Sequence, residues 1–361
     1  MSTLALSDYR RIVVKVGSSL LVDDQGRLDR AWLKTLAEDI SALQGGGHEL
    51  LIVSSGAIAI GSAILGINKR RARLEDLQAA AASGQVQLVH AYQEALGTHG
   101  IGAAQVLLTP EDTENRRRFL NARGTLGRLV ERAVVPIINE NDTVATDEIR
   151  YGDNDRLAAR VAQLVMADAL VLLSDVDGFY TADPGKHAAA THIPEVTRIT
   201  REMHAMAGET RSDIGSGGMA TKVQAARIAT HAGCSTIIAS GQIEHPLHAL
   251  AAGARCTVFR AEGTPAAARK QWLAGALEVR GDQQRGVPVL LEQLRELTGE
   301  RGLSGPLKAR EHDDRRRVLG ELQSALLTAE DPDELFVDDL DDLLRGVQRL
   351  ADLVAERALT H

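Results

Sequence analysis

The sequence predicts an α/β fold: a three-layer αβα sandwich around a mainly parallel open sheet, followed by an α-helical C-terminal region. Two observations carry this. Apolar, β-branched runs recur along the chain, and helical patterns separate most of them. The runs are also continuous rather than alternating, the mark of strands buried on both faces of a parallel sheet.

The expected strands are Ile12–Val16, Leu50–Val53, Ala104–Leu108, Val134–Ile138, Leu170–Leu173, Thr236–Ala239 and Cys256–Phe259. Between them lie the expected helices Arg30–Gln44, Ala57–Leu65, Leu74–Leu96, Asn115–Arg132, Asp155–Met166 and Ala220–Ala232. Right-handed crossovers would then bring the C-terminal ends of the strands to one edge, where open α/β sheets place their sites.

Five segments, at strand ends or helix starts, carry chemistry-bearing residues. Lys15-Val16-Gly17-Ser18-Ser19 offers an ammonium group, backbone N–H groups and two hydroxyls, the donors that phosphoryl transfer needs around the moving charge. Ser54-Ser55-Gly56 opens a helix, and a helix N-terminus attracts anions. Between Pro136 and Leu157 two knots, Asn139-Glu140-Asn141-Asp142 and Asp153-Asn154-Asp155, flank a polar stretch. Carboxylates there can hold an ammonium group and carboxamides can serve either charge, so the segment suits a small, amino-bearing substrate. Ser174-Asp175-Val176-Asp177-Gly178 follows the fifth strand and suits either a nucleotide pocket or a plain Asp-rich turn. Gly215-Ser216-Gly217-Gly218-Met219-Ala220-Thr221-Lys222 opens a helix with glycines that admit a phosphate; it does not match the Walker A pattern.

Bulk composition narrows the class. The chain of 361 residues is long enough for two domains. A net charge of −8 and an aromatic content of 3% argue against a nucleic-acid surface. Two cysteines, Cys234 and Cys256, make no disulfide framework, and no Cys/His group has zinc spacing. No apolar run reaches the roughly 20 residues of a membrane span, and no signal peptide is expected, so the expected setting is cytoplasmic. From Gly281 onward 18 acids against 11 bases give −7, leaving −1 for the first 280 residues. That segment reads as acidic helices, with Asp331 and Pro332 opening a stripe from Leu340 to Val354.

Taken together, VVKVGSSLL (13–21), LIVSSGAIAIG (51–61), FLNARGTL (119–126), PIINENDTVATDEIRYGDNDRLAA (136–159), LLSDVDGFYTADP (172–184), GSGGMATKVQAA (215–226) and GTPAAARKQW (263–272) closely resemble the glutamate 5-kinases of the amino acid kinase family. The resemblance implies that fold over a domain at 8–277, and ATP-dependent phosphorylation of the glutamate γ-carboxylate as the first step of proline synthesis, with Mg²⁺. It implies Lys15, Lys222 and Asp155 as the catalytic group, Asp155 orienting the two lysines. It implies Ser55, Asp142, Asn154 and Asp153 at glutamate. It places Lys15, Gly17, Ser174, Asp175, Ser216, Gly217, Gly218, Met219, Ala220, Thr221 and Lys222 at the nucleotide. A homo-oligomer, proline as feedback inhibitor and glutamyl phosphate reductase as partner are implied in the same way. Bacterial members often end in a β-rich PUA domain, whereas residues 281–361 here read as a separate helical region. Two rivals are an acetylglutamate or aspartate kinase, and a catalytically weak amino-acid sensor that signals through the tail.

Overall fold

The computed structural model describes residues 6–23, 25–69, 71–144, 154–187, 189–208 and 218–263. The expectations for the acidic region 281–361 and for the end of the domain at 264–277 lie outside the described residues.

The strands are β1 (Arg11–Val16), β2 (Glu49–Ser54), β3 (Ala103–Leu108), β4 (Val135–Glu140), β5 (Ala169–Ser174), β6 (Phe179–Tyr180), β7 (His192–Ile193), β8 (Glu195–Val196), β9 (Ser235–Ser240) and β10 (Cys256–Phe259). Eight form one sheet in the order β3-β4-β2-β1-β5-β9-β10-β8, while β6 and β7 pair by themselves. Every neighbouring pair in the large sheet is parallel except β9 with β10. The helices are α1 (Ser18–Leu21), α2 (Arg30–Gly45), α3 (Ala57–Leu65), α4 (Leu74–Gly97), α5 (Pro110–Glu114), α6 (Arg116–Glu131), α7 (Asn154–Leu164), α8 (Arg201–Met206), α9 (Met219–His231) and α10 (Pro246–Ala251). The seven longer strands and six longer helices fall where the sequence puts them. No helix among the described residues is long and apolar enough to cross a membrane.

The sheet separates two cores. Successive strand residues face opposite sides, so Ile12, Val14 and Val16 of β1 pack with Leu36, Ile60 and Leu88 of α2, α3 and α4. Val13 faces the other way and packs with Leu157, Val161, Val223 and Ala226 of α7 and α9. Burying each such side chain contributes about 1.5–3 kcal/mol. The same alternation turns Lys15 to the α7/α9 side with Val13, which decides where its charge goes.

Three details depart from the sequence reading. β3 is an edge strand, and its residues are mostly half-buried because only β4 covers it. β4 starts at Val135 and runs on through Asn139 and Glu140, so half of the first Asn/Asp knot is strand rather than loop. Asn115 is not helical: it caps α6, its side chain accepting from the backbone N–H of Arg117 at 3.1 Å and of Arg118 at 3.3 Å.

α3 and α4 meet backbone to backbone. A Cβ on Gly61 would lie 1.7 Å from the Ala80 carbonyl oxygen, and one on Gly84 would lie 1.9 Å from that of Ala57. This contact seats the middle of α4 beneath the β2–α3 turn. Gly84→Ala should therefore destabilise the fold by about 1–3 kcal/mol through overpacking, read as a lowered urea midpoint; an unchanged midpoint would contradict the packing described.

Candidate active site

Parallel pairing puts the ends of β1, β2, β4, β5 and β9 on one edge. Val16 is level with Ser54 and with Leu173, and Ser174 with Ser240. The Ser55 N–H donates to the Val16 carbonyl at 3.1 Å, which ties the turn after β2 to the end of β1. Gly56 makes that turn with φ 116°, a backbone shape that favours glycine, and caps α3.

The centre of the site is a carboxylate in the dry interior. Asp155, the second residue of α7, is 0% exposed; Lys15 is 6% and Lys222 4% exposed. Lys15 Nζ lies 2.5 Å from Asp155 Oδ1, and Lys222 Nζ lies 3.1 Å from Oδ2. The Thr221 hydroxyl donates to Oδ2 at 3.1 Å and lies 2.7 Å from the Gly218 carbonyl oxygen. Burial pushes the Asp155 carboxyl up, but the ammonium groups of Lys15 and then Lys222 outweigh it and hold the carboxyl below its ordinary value. The sequence reading had Asp155 orienting both lysines, and the geometry has all three in contact. The three groups sum to one positive charge.

A second cluster adjoins the first through consecutive residues of α7. Asn154 Nδ2 donates to Ser55 Oγ at 2.7 Å and to Asn139 Oδ1 at 2.9 Å, with the Ser54 carbonyl oxygen at 3.3 Å. Asn139 Nδ2 in turn donates to Gln85 Oε1 at 2.9 Å. The Tyr92 hydroxyl lies 3.1 Å from Ser54 Oγ, and burial pushes its pKa up.

The other expected residues stand around these clusters. Gly17 precedes α1 with φ −71° and a Cβ position 3.7 Å from its nearest neighbour, so nothing among the described residues demands a glycine there. Ser174, buried at the end of β5, donates its hydroxyl to the exposed Asp175 at 2.8 Å. Gly218, Met219, Ala220 and Thr221 form the exposed to half-buried start of α9. Asp142 is half-buried in the turn after β4, where the Val144 N–H donates to the Asn141 carbonyl at 3.2 Å. Asp153, Ser216 and Gly217 lie outside the described residues. No group of three or more His, Cys, Asp or Glu side chains among the described residues could hold a metal ion.

Asn139 and Ser54 lay in segments the sequence singled out but were given no individual role, and Gln85 and Tyr92 were not singled out at all. Gln85 had a readable signal: it interrupts the buried stripe Ala81, Leu88 and Tyr92 at helical spacing.

The amino acid kinase family model matches residues 10–240. The chain belongs to the amino acid kinase family. Among its relatives, the glutamate 5-kinase of Nitrobacter hamburgensis is 55% identical over 282 residues, 78% of this chain and 74% of the relative. The glutamate 5-kinase of a Bradyrhizobium species is 56% identical over 282 residues, 78% of this chain and 75% of the relative. Carbamate kinase from Giardia lamblia, solved with AMP-PNP, shares this amino acid kinase's fold at 17% identity and a TM-score of 0.50, over 71% of this chain and 99% of that one.

Asp155→Asn takes the shared counter-charge from two buried lysines and should cost about 3–5 kcal/mol of stability at neutral pH. The carboxyl's folded pKa lies below its ordinary 3.8, so its contribution is complete above that pH and lost as pH falls through the depressed value. Equilibrium unfolding near pH 7 and near pH 3 checks this: the gap between wild type and variant should narrow in acid, and an equal gap would contradict it.

Proposed function

We propose that this chain is a glutamate 5-kinase: it transfers the γ-phosphoryl group of ATP to the γ-carboxylate of L-glutamate, giving L-glutamyl 5-phosphate for proline synthesis. The observation that carries the mechanism is the buried Lys15–Asp155–Lys222 group at the sheet edge, with its excess positive charge. Relatives named for this activity, at 55–56% identity over most of both chains, support the substrate.

The chemistry follows from charge. A carboxylate is already a nucleophile and needs no general base. One of its oxygens attacks Pγ, the bond from Pγ to the bridging oxygen breaks, and ADP leaves with the electron pair. The barrier then lies in alignment and in charge on the phosphoryl oxygens. Lys15 and Lys222 supply fixed donors there, and Asp155 holds them so that no reorganisation is needed during transfer. The amides at Gly17 and at the start of α9 receive the phosphates; Gly17 leaves open the space a side chain would fill. Ser174 and Asp175, at and just after the end of β5, contribute to the nucleotide pocket on this reading. Ser55 and Asn154 hold glutamate, with Asp142 and Asp153 contributing from the neighbouring loop.

Mg²⁺ fits as a passenger of the nucleotide rather than in a protein cage, because the buried carboxylate is committed to two lysines. Bound there, it would neutralise phosphate charge. The intact lysines favour turnover over the sensor reading. A homo-oligomer, inhibition by proline, hand-over to glutamyl phosphate reductase, a cytoplasmic setting, and the division into a kinase domain at 8–277 and a helical region at 281–361 rest on the sequence and its resemblance.

With ATP, Mg²⁺, glutamate and hydroxylamine, wild type should yield γ-glutamyl hydroxamate, and no hydroxamate from folded protein would refute the activity. Lys15→Ala and Lys222→Ala should each lower kcat at least about a hundredfold in folded protein; near-normal kcat in either would refute the roles.

A further inference from the structure

Gln85 sits in the middle of α4 on its buried face. It is 6% exposed, and its Nε2 is a buried donor without a partner among the described residues. A buried amide that leaves half its capacity unused is a cost, so the half that is used calls for an explanation. That half is the acceptor Oε1, which takes the Asn139 Nδ2 proton at 2.9 Å.

The consequence runs along a line of carboxamides. With its nitrogen turned to Gln85, Asn139 must present its carbonyl oxygen to Asn154. Asn154 must then point its nitrogen inward, where Asn139 Oδ1, Ser55 Oγ and the Ser54 carbonyl oxygen all accept. Among the described residues, two things are left for a ligand. The Asn154 carbonyl oxygen faces away from the relay and can only accept. The Ser55 hydroxyl has used its oxygen as an acceptor, so its proton remains to be donated. One acceptor beside one donor matches the head of an α-amino acid, ammonium to Asn154 and carboxylate to Ser55.

We propose that Gln85 is a positioning residue that, together with the Ser54 carbonyl oxygen at the other end, holds the polarity of this relay and thereby selects an α-ammonium group on the substrate. The proposal rests on Ser55 and Asn154 as the glutamate-holding residues. Without the Gln85 acceptor, Asn139 is free to turn over, only the long 3.3 Å bond to the Ser54 carbonyl oxygen then opposes Asn154 following, and a turned Asn154 puts a donor where the acceptor met the ammonium.

The test compares wild type with Gln85→Met in the hydroxamate assay, using glutamate and 2-hydroxyglutarate as alternative substrates. Methionine keeps the volume and removes an uncompensated donor, so the fold should persist; Gln85→Ala is read the same way if it does not. The KM for glutamate should rise at least about tenfold, with kcat within about threefold and the KM for ATP unchanged. The glutamate to 2-hydroxyglutarate ratio of kcat/KM should fall at least about tenfold, because the hydroxyl oxygen can accept from the turned amide. Gln85→Glu keeps the acceptor and should restore the KM to within about threefold of wild type. A wild-type KM and ratio in folded Gln85→Met would overturn the proposal. So would equal losses for both substrates, which mark a structural role only. Wild-type protein inert towards glutamate would instead refute the kinase reading itself.

Discussion

The shared carboxylate of Asp155 is the interaction on which the site depends. Two lysines from distant parts of the chain, one on β1 and one on α9, would repel each other in a medium that screens poorly. A fully buried carboxylate, 2.5 and 3.1 Å from their nitrogens, makes their approach possible. The arrangement is costly as a source of stability, since desolvating three charges takes back much of the Coulomb gain. What it provides is a fixed excess of positive charge at the one edge where five strand ends meet. The alternation of β1, with Val13 and Lys15 on one side and Val14 and Val16 on the other, is what aims the first lysine there.

On the proposed roles, α7 joins the two halves of the reaction. Asn154 and Asp155 are its first two residues. About 100° apart around a helix, they reach different neighbours: Asn154 the Ser55 turn and the amides behind it, Asp155 the lysines. A shift of this helix start would move both halves together, so alignment between nucleophile and phosphoryl group is built into a single backbone turn.

Much of this was legible in the sequence because it lay in strong local patterns. Continuous β-branched runs gave seven strands, and polar residues at or just beyond their C-terminal ends gave Lys15, Ser55 and Ser174. Asn154, Asp155 and Lys222 were legible from their family motifs rather than from spacing. The strand pairing order was not legible, since periodicity says nothing about which neighbour a buried strand takes. The pairing of Gln85 with Asn139 escaped for a related reason. Their meaning lies in a contact between residues 54 apart in the chain, and a lone amide on an apolar stripe is equally well read as a tolerated core residue. The short elements β6, β7 and β8, too brief to show a period, escaped as well.

The most direct measurement is the hydroxamate turnover of Asp155→Asn, which keeps the side chain's shape and removes only its charge. With the lysines no longer held, kcat should fall at least about a hundredfold in protein that still melts cooperatively, while the KM for glutamate, which the proposed roles assign to Ser55 and Asn154, changes little. A folded variant with kcat within about threefold of wild type would show that the buried carboxylate does not organise the transfer.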